Sequence, residues 1–597
     1  MAWTLLRGGT VVDGTGSPPF QADVCIRDGV IDAVGPDLSA PEGAQVMDAA
    51  GKLITPGFIN MHSHSDCSAA MYPNMESTLG QGITTEFAGH CGLGVAPVQH
   101  SWLYMFPEKK AFTKVMPEPP GGINPYNAYL VPTQRLREPF AQTYGQELDW
   151  TTYGQFLEHL RRVGLGANLA VVAGQAQIRL QAMGTDYHRD ATETEIAAME
   201  GALSEAMDGG ALGLSLGLDY EPGLFAGREE LLRLMKLVAA RGGIVTAHTR
   251  SRSHPYYGHA QSFLDGLREF LDLGRESGVR IHVSHIQNGY NVTPAHDGLI
   301  RAAVAKTLEE LDRARQAGVN VTWDVIPKYA YGPFHYPMAA SLFQPYVERC
   351  GGCAAFSRAL TLPDFRRQVV EEIRTGRHPS QGVFTRFDPQ ADPAWDTRYR
   401  FTRVQRAGCV GKTIREAAQG ADSLELLLDV LTEDPYAAMI SLGRRPEHTP
   451  DRDAFVARTE ATIGLDTWTL DYDAALSEGD LPLECGSPAT YEGMTVFLET
   501  ERDKGAAIEE TIRKLTGNAA RTLGLTDRGF VSQGLAADLL VLDWEHFSAR
   551  ENLADPRHGP QGLDYVLVAG QIAVDHGVHT HVRSGTVLGP EHRKGEN

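Results

Sequence analysis

His62 and His64 close a short apolar run, Phe58-Ile59-Asn60-Met61, that follows Thr55-Pro56-Gly57. Alternate side chains of an extended strand point to one face, so the two imidazoles share a side, about 6.6 Å apart along the chain. Two imidazoles converging from the end of a buried strand suit a divalent metal. The same spacing also occurs as a plain surface pair, so its surroundings decide between the two. Other ligand-type residues stand at the ends of further apolar, β-rich runs. Residues 83–87 lead on to His90-Cys91-Gly92, 243–247 end in His248, and 279–284 end in His285. Residues 319–323 end in Asp324 and 461–465 in Asp466. Imidazole, thiolate and carboxylate together suit Zn2+, or another borderline transition metal, better than magnesium or calcium. His282 alternates with Ser284 rather than with His285, which argues against a ligand role.

Such a set needs a scaffold that brings strand ends together. With 169–173 and 211–215, the runs at 58–61, 83–87, 243–247, 279–284, 319–323 and 461–465 number eight, and helical patterns lie between them. One helix is predicted from Thr192, where Glu195 completes a capping box, through Ile196, Met199, Leu203 and Met207 to Gly209-Gly210. Another covers 229–240. Near-continuous apolar strands alternating with helices predict an α/β fold, a (β/α)8 TIM-like barrel over residues 56–525, with an open eight-stranded sheet as the alternative. In a barrel the strand ends share one mouth, where the chemistry is kept. Two long stretches, 97–150 and 331–455, interrupt the alternation and are read as insertions that build the rim. Residues 1–55 and 526–597 alternate β-like runs with turn signals, Gly8-Gly9 among them, and are expected to complete one small β-sandwich.

The composition narrows the function classes. A formal charge of −21, from 54 Lys+Arg against 75 Asp+Glu, disfavours nucleic acid or an anionic membrane as partner. No apolar run approaches the ~18 residues of a transmembrane helix, and the N-terminus lacks the pattern of a signal peptide. Seven scattered cysteines do not form a disulfide framework, so a cytoplasmic protein is expected. Cys350-Gly351-Gly352-Cys353 has no partner pair and is read as structural.

The motifs resemble the amidohydrolase superfamily and, within it, the N-acyl-D-amino-acid deacylases (D-aminoacylases). The resemblance covers essentially the whole chain. It rests on residues 53–60 followed by His62-Ser63-His64-Ser65-Asp66, on Gly82-Ile83-Thr84-Thr85 leading to His90-Cys91-Gly92, on residues 210–223, and on 554–557 with 562–570. The resemblance implies Cys91, His248 and His285 as the tight ligands of one Zn2+, with His62 and His64 at a second, weaker or vacant position. It implies Asp466 as general base and then general acid in hydrolysis of a C–N amide bond. Tyr220 would contact the substrate carbonyl, and Arg250 an anionic group of the substrate or a salt bridge.

The departures concern the substrate. Gln287 stands where the family usually has a lysine, and Ser487-Pro488-Ala489 where it commonly has His-Pro-Arg. Gly174-Gln175 replaces the usual Gly-His. Charged hydrogen bonds are worth ~1.5–3 kcal/mol each, so losing two cations should weaken carboxylate recognition markedly. Lys328 could compensate, or be simply exposed. The expected partner is a small-molecule amide or modified peptide. A cyclic amide or imide hydrolase is the alternative, disfavoured because no strand ends in a lysine of the carboxylated kind. An inactive barrel scaffold is disfavoured because the ligand set is complete.

Overall fold

The computed structural model describes residues 2–98, 101–104, 129–219, 221–250, 263–286, 297–327, 339–351, 353–377, 389, 393–441, 450–473, 488–551 and 556–593. The chain starts with β1 (Trp3–Val11), β2 (Phe20–Arg27), β3 (Val30–Gly35), β4 (Gln45–Asp48) and β5 (Leu53–Pro56). Gly8-Gly9, expected to turn the chain, instead lies inside β1. The register against β2 slips between Leu6 and Gly9, and Gly8 takes φ +76°. A bulge absorbs what a glycine pair elsewhere spends on a turn.

The central strands are β6 (Phe58–Ser63), β7 (Ile83–Ala88), β8 (Ser101–Tyr104), β9 (Tyr129–Pro132), β10 (Asn168–Val171), β11 (Ala173–Gly174), β12 (Gly213–Gly217), β13 (Ile244–His248), β14 (Arg280–Val283), β15 (Val321–Val325), β16 (Tyr399–Arg403), β17 (Ala438–Ser441) and β18 (Thr462–Ile463). β6, β7 and β10 are parallel neighbours in one sheet; β11, β12, β13, β14, β15 and β18 follow in order in another, also parallel. Only Val172 separates β10 from β11. At the far edges, Ser63 bridges Thr467 in parallel and the Asp466 amide donates to the His62 carbonyl at 2.8 Å. Most of these strands are buried on both faces, which is why they read as continuous apolar runs. β8 with β9 and β16 with β17 are separate antiparallel pairs. Helices separate the strands as expected. Thr192 and Glu195 form the capping box of helix Glu193–Gly209, and a helix covers Arg228–Ala240.

The C-terminal strands are β19 (Leu539–Leu542), β20 (Leu563–Val568), β21 (Gln571–Asp575), β22 (Val578–His579) and β23 (Val587–Leu588). β23 joins the edge of β10, while β19–β22 join β1–β5 in one nine-stranded sheet through the antiparallel β5–β19 pair. The two ends of the chain thus share a core that includes Leu6, Val24, Ile31, Ile54, Leu539 and Leu567. Within the 331–455 stretch the described residues build a core of their own, with Phe343, Phe356, Ile373, Phe401, Leu427 and Met439. No helix among the described residues is long and apolar enough to cross a membrane.

Asp538 ties the terminal sheet to the parallel strands. Its Oδ2 accepts from Arg528 Nη1 at 2.7 Å and from Asn168 Nδ2 at 2.9 Å, and its Oδ1 accepts from the Ala569 amide. Arg528 and Asp538 are both buried. Removing one member of a buried pair strands the other's charge, at ~3–5 kcal/mol. Arg528→Met should therefore destabilise the protein by about that much, read as the shift in a urea unfolding midpoint, whereas the exposed Arg367→Met should change it by less than ~0.5 kcal/mol.

Candidate metal centre

The site is built where the parallel strands end. His62 is the fifth residue of β6, and His64 follows just beyond the strand, before the short turn Ser65–Cys67. β7 leads into Gly89-His90-Cys91-Gly92. At Gly89 the backbone has φ +85°, and a Cβ would lie 2.0 Å from the Val172 carbonyl oxygen, so only glycine lets this loop close over β10. His248 is the last residue of β13, His285 lies just past β14, and Asp466 just past β18. Cys91, His285 and Asp466 all have left-handed backbones, with φ of 59°, 39° and 56°. Such conformations are costly for non-glycine residues and persist where the surroundings hold them, characteristically at functional sites.

These turns aim the side chains at one point. Cys91 Sγ lies 3.4 Å from His62 Nε2, 3.5 Å from His285 Nε2 and 3.9 Å from His248 Nδ1. Asp466 Oδ1 lies 3.3 Å from His62 Nε2 and 3.2 Å from His64 Nε2. Ligand atoms of His62, Cys91, His285 and Asp466 all fall within 4.8 Å of one another, and all four residues are buried. The wall behind His62 is close-packed. At Gly464 an added Cβ would sit 2.4 Å from His62 Cβ and 2.7 Å from Asp324 Oδ1.

The charges compensate internally. Burial pushes the Cys91 thiol up, but the imidazoles of His62, His285 and His248 override it and hold the group well below the usual thiol range, in favour of thiolate. Burial likewise raises the Asp466 carboxyl, and His62 and His64 bring it well below its ordinary value. Burial alone would discharge His64, yet its bonds to Asp466 and Cys91 push it up to about 10. A thiolate, a carboxylate and imidazoles converging in a buried space form a donor set that a borderline divalent cation fits in charge and in ligand type.

Asp324 stands among the ligand-type residues at strand ends and His282 is read as no ligand, whereas Asp219 and His90 receive no role from the sequence. Asp324 is wholly buried. Its Oδ2 lies 3.3 Å from His62 Nδ1 and 3.0 Å from His282 Nε2, while Oδ1 accepts from the His285 amide at 3.0 Å. This holds the His62 ring in the orientation that turns Nε2 toward Cys91. His282 serves Asp324, not the centre, in agreement with the strand-alternation argument. Asp219 Oδ2 lies 3.3 Å from His248 Nε2 and orients that ring. The ring of His90 packs 4.1 Å from that of His62. The available signal was position: Asp324 closes a strand, and Asp219 follows one.

The substrate candidates fare differently. Arg250 is turned into the fold, donating to Glu269 at 2.9 Å and to the Leu224 and Ala226 carbonyls at 2.6 and 3.1 Å. Those bonds commit its guanidinium to the turn after β12; a buried clamp takes the place of the solvated salt bridge. Tyr220, Gln287, Lys328 and Ser487 lie outside the described residues. Ala489, where the family arginine was sought, is the buried first residue of helix Ala489–Asp503. Of Gly174-Gln175, Gln175 is buried and donates to Glu230 at 2.6 Å.

A model of the amidohydrolase family matches residues 45–322. D-aminoacylase of Alcaligenes xylosoxydans xylosoxydans is 30% identical over 587 residues, covering 98% of this chain and 97% of that one. N-acyl-D-glutamate deacylase of the same organism is 27% identical over 590 residues, covering 98% and 96%. Among solved structures, D-aminoacylase matches with a TM-score of 0.67 at 24% identity, covering 98% of this chain and 99% of that one. N-acyl-D-glutamate deacylase from Bordetella bronchiseptica, solved with zinc and a phosphonate mimic of the tetrahedral intermediate, matches at 0.66, with the same identity and coverage. Those structural matches speak for a shared fold; the full-length sequence match carries the assignment. The chain belongs to the D-aminoacylase-like branch of the amidohydrolases, metal-dependent hydrolases of carbon–nitrogen bonds.

Proposed function

We propose that this chain hydrolyses an N-acyl amide with Zn2+ held by Cys91, His248 and His285, and with His62 and His64 beside it at a second, weaker position. The convergence of His62, His285 and Asp466 on the buried Cys91 carries this reading. Its relatives support it by name, as a D-aminoacylase and an N-acyl-D-glutamate deacylase. A solved D-aminoacylase is described by one-metal activation and second-metal attenuation, in keeping with unequal positions. The scaffold reading is a (β/α)8 barrel over residues 56–525, supported by two runs of parallel neighbours that adjoin in the chain at Val172 and by the Ser63–Thr467 bridge between their far edges. Residues 1–55 and 526–597 form the smaller domain. A sandwich-like closure of its sheet is supported by Gly29, between β2 and β3, whose carbonyl accepts from the Ala537 amide and which packs on Ala569 between β20 and β21.

A bound zinc ion supplies a water of lowered pKa and polarises an amide carbonyl. Asp466, ionised and held by His64, accepts the proton of the attacking water and returns it to the departing nitrogen. His62 takes its orientation from Asp324 on its Nδ1 side, which turns Nε2 toward the centre. Asp219 and Asp324 do not touch substrate in this scheme; they set the rings that do the holding.

The substrate is a small amide whose carboxylate recognition differs from that of the relatives. Gln287 and Ala489 stand where lysine and arginine were expected, and Arg250 spends its donors within the fold. Uncharged or differently charged acyl amides and modified peptides are the fitting class.

Purified protein should carry about one tightly held transition metal per chain by elemental analysis; protein without any at full folding contradicts the proposal. Cys91→Ser should weaken zinc by more than the ~10–100-fold typical of losing an outer partner, measured by chelator competition. Asp466→Asn should keep the metal and lose ~10²–10⁴-fold in turnover, and a fully active variant removes Asp466 from the scheme. In a hydrolysis screen of amides, peptides and cyclic imides, N-acetyl-D-methionine should rank low, with kcat/KM at least ~100-fold below the best substrate, the equivalent of one or two missing charged hydrogen bonds. Efficient turnover of N-acetyl-D-methionine overturns the specificity reading while leaving the metal reading intact.

A further inference from the structure

Glu86 lies on β7, where its register partner across the β6–β7 pair is Asn60. Both face the interior. Ile59, Met61 and Phe87, which alternate with them, pack the opposite face against Ala519 and Leu523. Glu86 is 3% exposed, and no cation stands among the groups that act on its charge. Burial pushes its carboxyl up to about 7, opposed only by hydrogen bonds from Thr78, Ser63 and Asn60. An acid kept in such a place, at the cost of desolvation, asks for a use.

Its two oxygens reach both flanks of Asp466. Oε2 accepts from Asn60 Nδ2 at 2.7 Å. That amide's Oδ1 accepts from the Leu465 backbone at 2.9 Å and lies 3.4 Å from the His62 amide. Oε1 accepts from Thr78 Oγ1 at 2.9 Å, and Thr78 Oγ1 is 2.9 Å from Thr469 Oγ1. One side chain links Glu86 to the residue before Asp466, and another links it to a residue three beyond. Between those tethers Asp466 holds its left-handed backbone. A carboxylate accepts from Asn60 and Thr78 at once without presenting a donor of its own.

We propose that Glu86 is a positioning residue for Asp466, holding the aspartate loop from beneath through Asn60 on one flank and Thr78 on the other. The inference rests on the role given above to Asp466. Glu86 does not touch the substrate, and the proposed tight ligands have other supports: His248 on Asp219, His285 on Asp324, and Cys91 in the Gly89 loop.

The test is Glu86→Ala, with zinc content measured alongside. Zinc stoichiometry and KM should stay within about twofold of the parent, while kcat on the best amide from the screen falls ~10–100-fold, as expected of a reacting group misplaced by a fraction of an ångström to 1 Å. In a crystal structure of the variant, the 3.2 Å contact between Asp466 and His64 should open by about 0.5 Å or more. A rescue pair separates positioning from stability. Asn60→Asp sets two carboxylates face to face and should lose kcat similarly. Adding Glu86→Gln to it restores a donor opposite an acceptor, keeps the acceptor for Leu465, and should return kcat to within about threefold of the parent. Parental kcat in Glu86→Ala with Asp466 unmoved overturns the proposal, as does a double variant no faster than Asn60→Asp. If Glu86→Ala does not fold, Glu86→Gln is read in the same two ways. If the parent turns over no amide, or Asp466→Asn stays active, the proposed function has failed; the Asp466 position in the variant crystal then decides on Glu86 alone.

Discussion

A thiol, carboxylates and imidazoles share a space at this centre that water scarcely reaches, and their mutual compensation is the constraint on which the rest depends. Each group alone would be neutralised by burial, since desolvation disfavours every charged form. Together they hold one another ionised: Cys91 through His62 and His285, Asp466 through His62 and His64, and Asp324 through His62 and His282. The arrangement works only at hydrogen-bond distances. Slippage of any one strand would leave buried charge unpaired, at a cost of several kcal/mol. The electrostatics therefore demand a rigid frame, and the frame is what the parallel strands supply.

That demand is visible in the backbone. Cys91, His285 and Asp466 occupy left-handed conformations, and each is over-determined by neighbours. Gly89 lets the Cys91 loop lie against Val172, the His285 amide is held by Asp324, and the Asp466 amide is held by the His62 carbonyl. Asp324 serves both as counter-charge to an imidazole and as acceptor for a strained amide. One side chain with two duties couples the charge balance to the backbone geometry. The terminal sheet contributes from outside, because Asp538 grips Asn168 beside β7 as well as Arg528 and Ala569.

Much of this was legible in the sequence, for a physical reason. Parallel strands buried on both faces must be apolar throughout, so the eight runs announced themselves, and strand ends are where polar residues become affordable. Boundaries were less legible. Residues 211–212 read as strand but lead from a helix cap into β12 (Gly213–Gly217), and β18 is only Thr462–Ile463 although its apolar run is longer. Pairwise partners were not legible at all. Asp324 meets His62 across 262 residues, and nothing in either segment encodes the χ angles that join them. Arg250 shows the limit in the other direction. Its place two residues past His248 suggests a contact to an anionic group of the substrate, but the turn at Leu224–Ala226 presents carbonyls in need of donors, and a buried guanidinium satisfies them.

The separation between ligands and specificity follows from where each resides. Metal-type residues lie at strand ends, where a shift propagates through the whole sheet, so their types and spacing are tightly bound to the fold. The residues proposed to contact substrate lie in sequence on the connections after the strands, and such connections accept new residues without disturbing the frame. The stretch after Asp466 illustrates this. Trp468 and Leu470 anchor it in an apolar cluster with Tyr491, and helix Ala489–Asp503 is buried along much of its length. The helix thus packs against the core with an alanine at its first position, where an arginine would bring an aliphatic stem and a charge. A chain can exchange that cation for a small side chain and still keep every contact that holds Asp466. On the proposed function, water activation and the choice of amide are thereby set by different parts of the molecule, and the second can change while the first stays fixed.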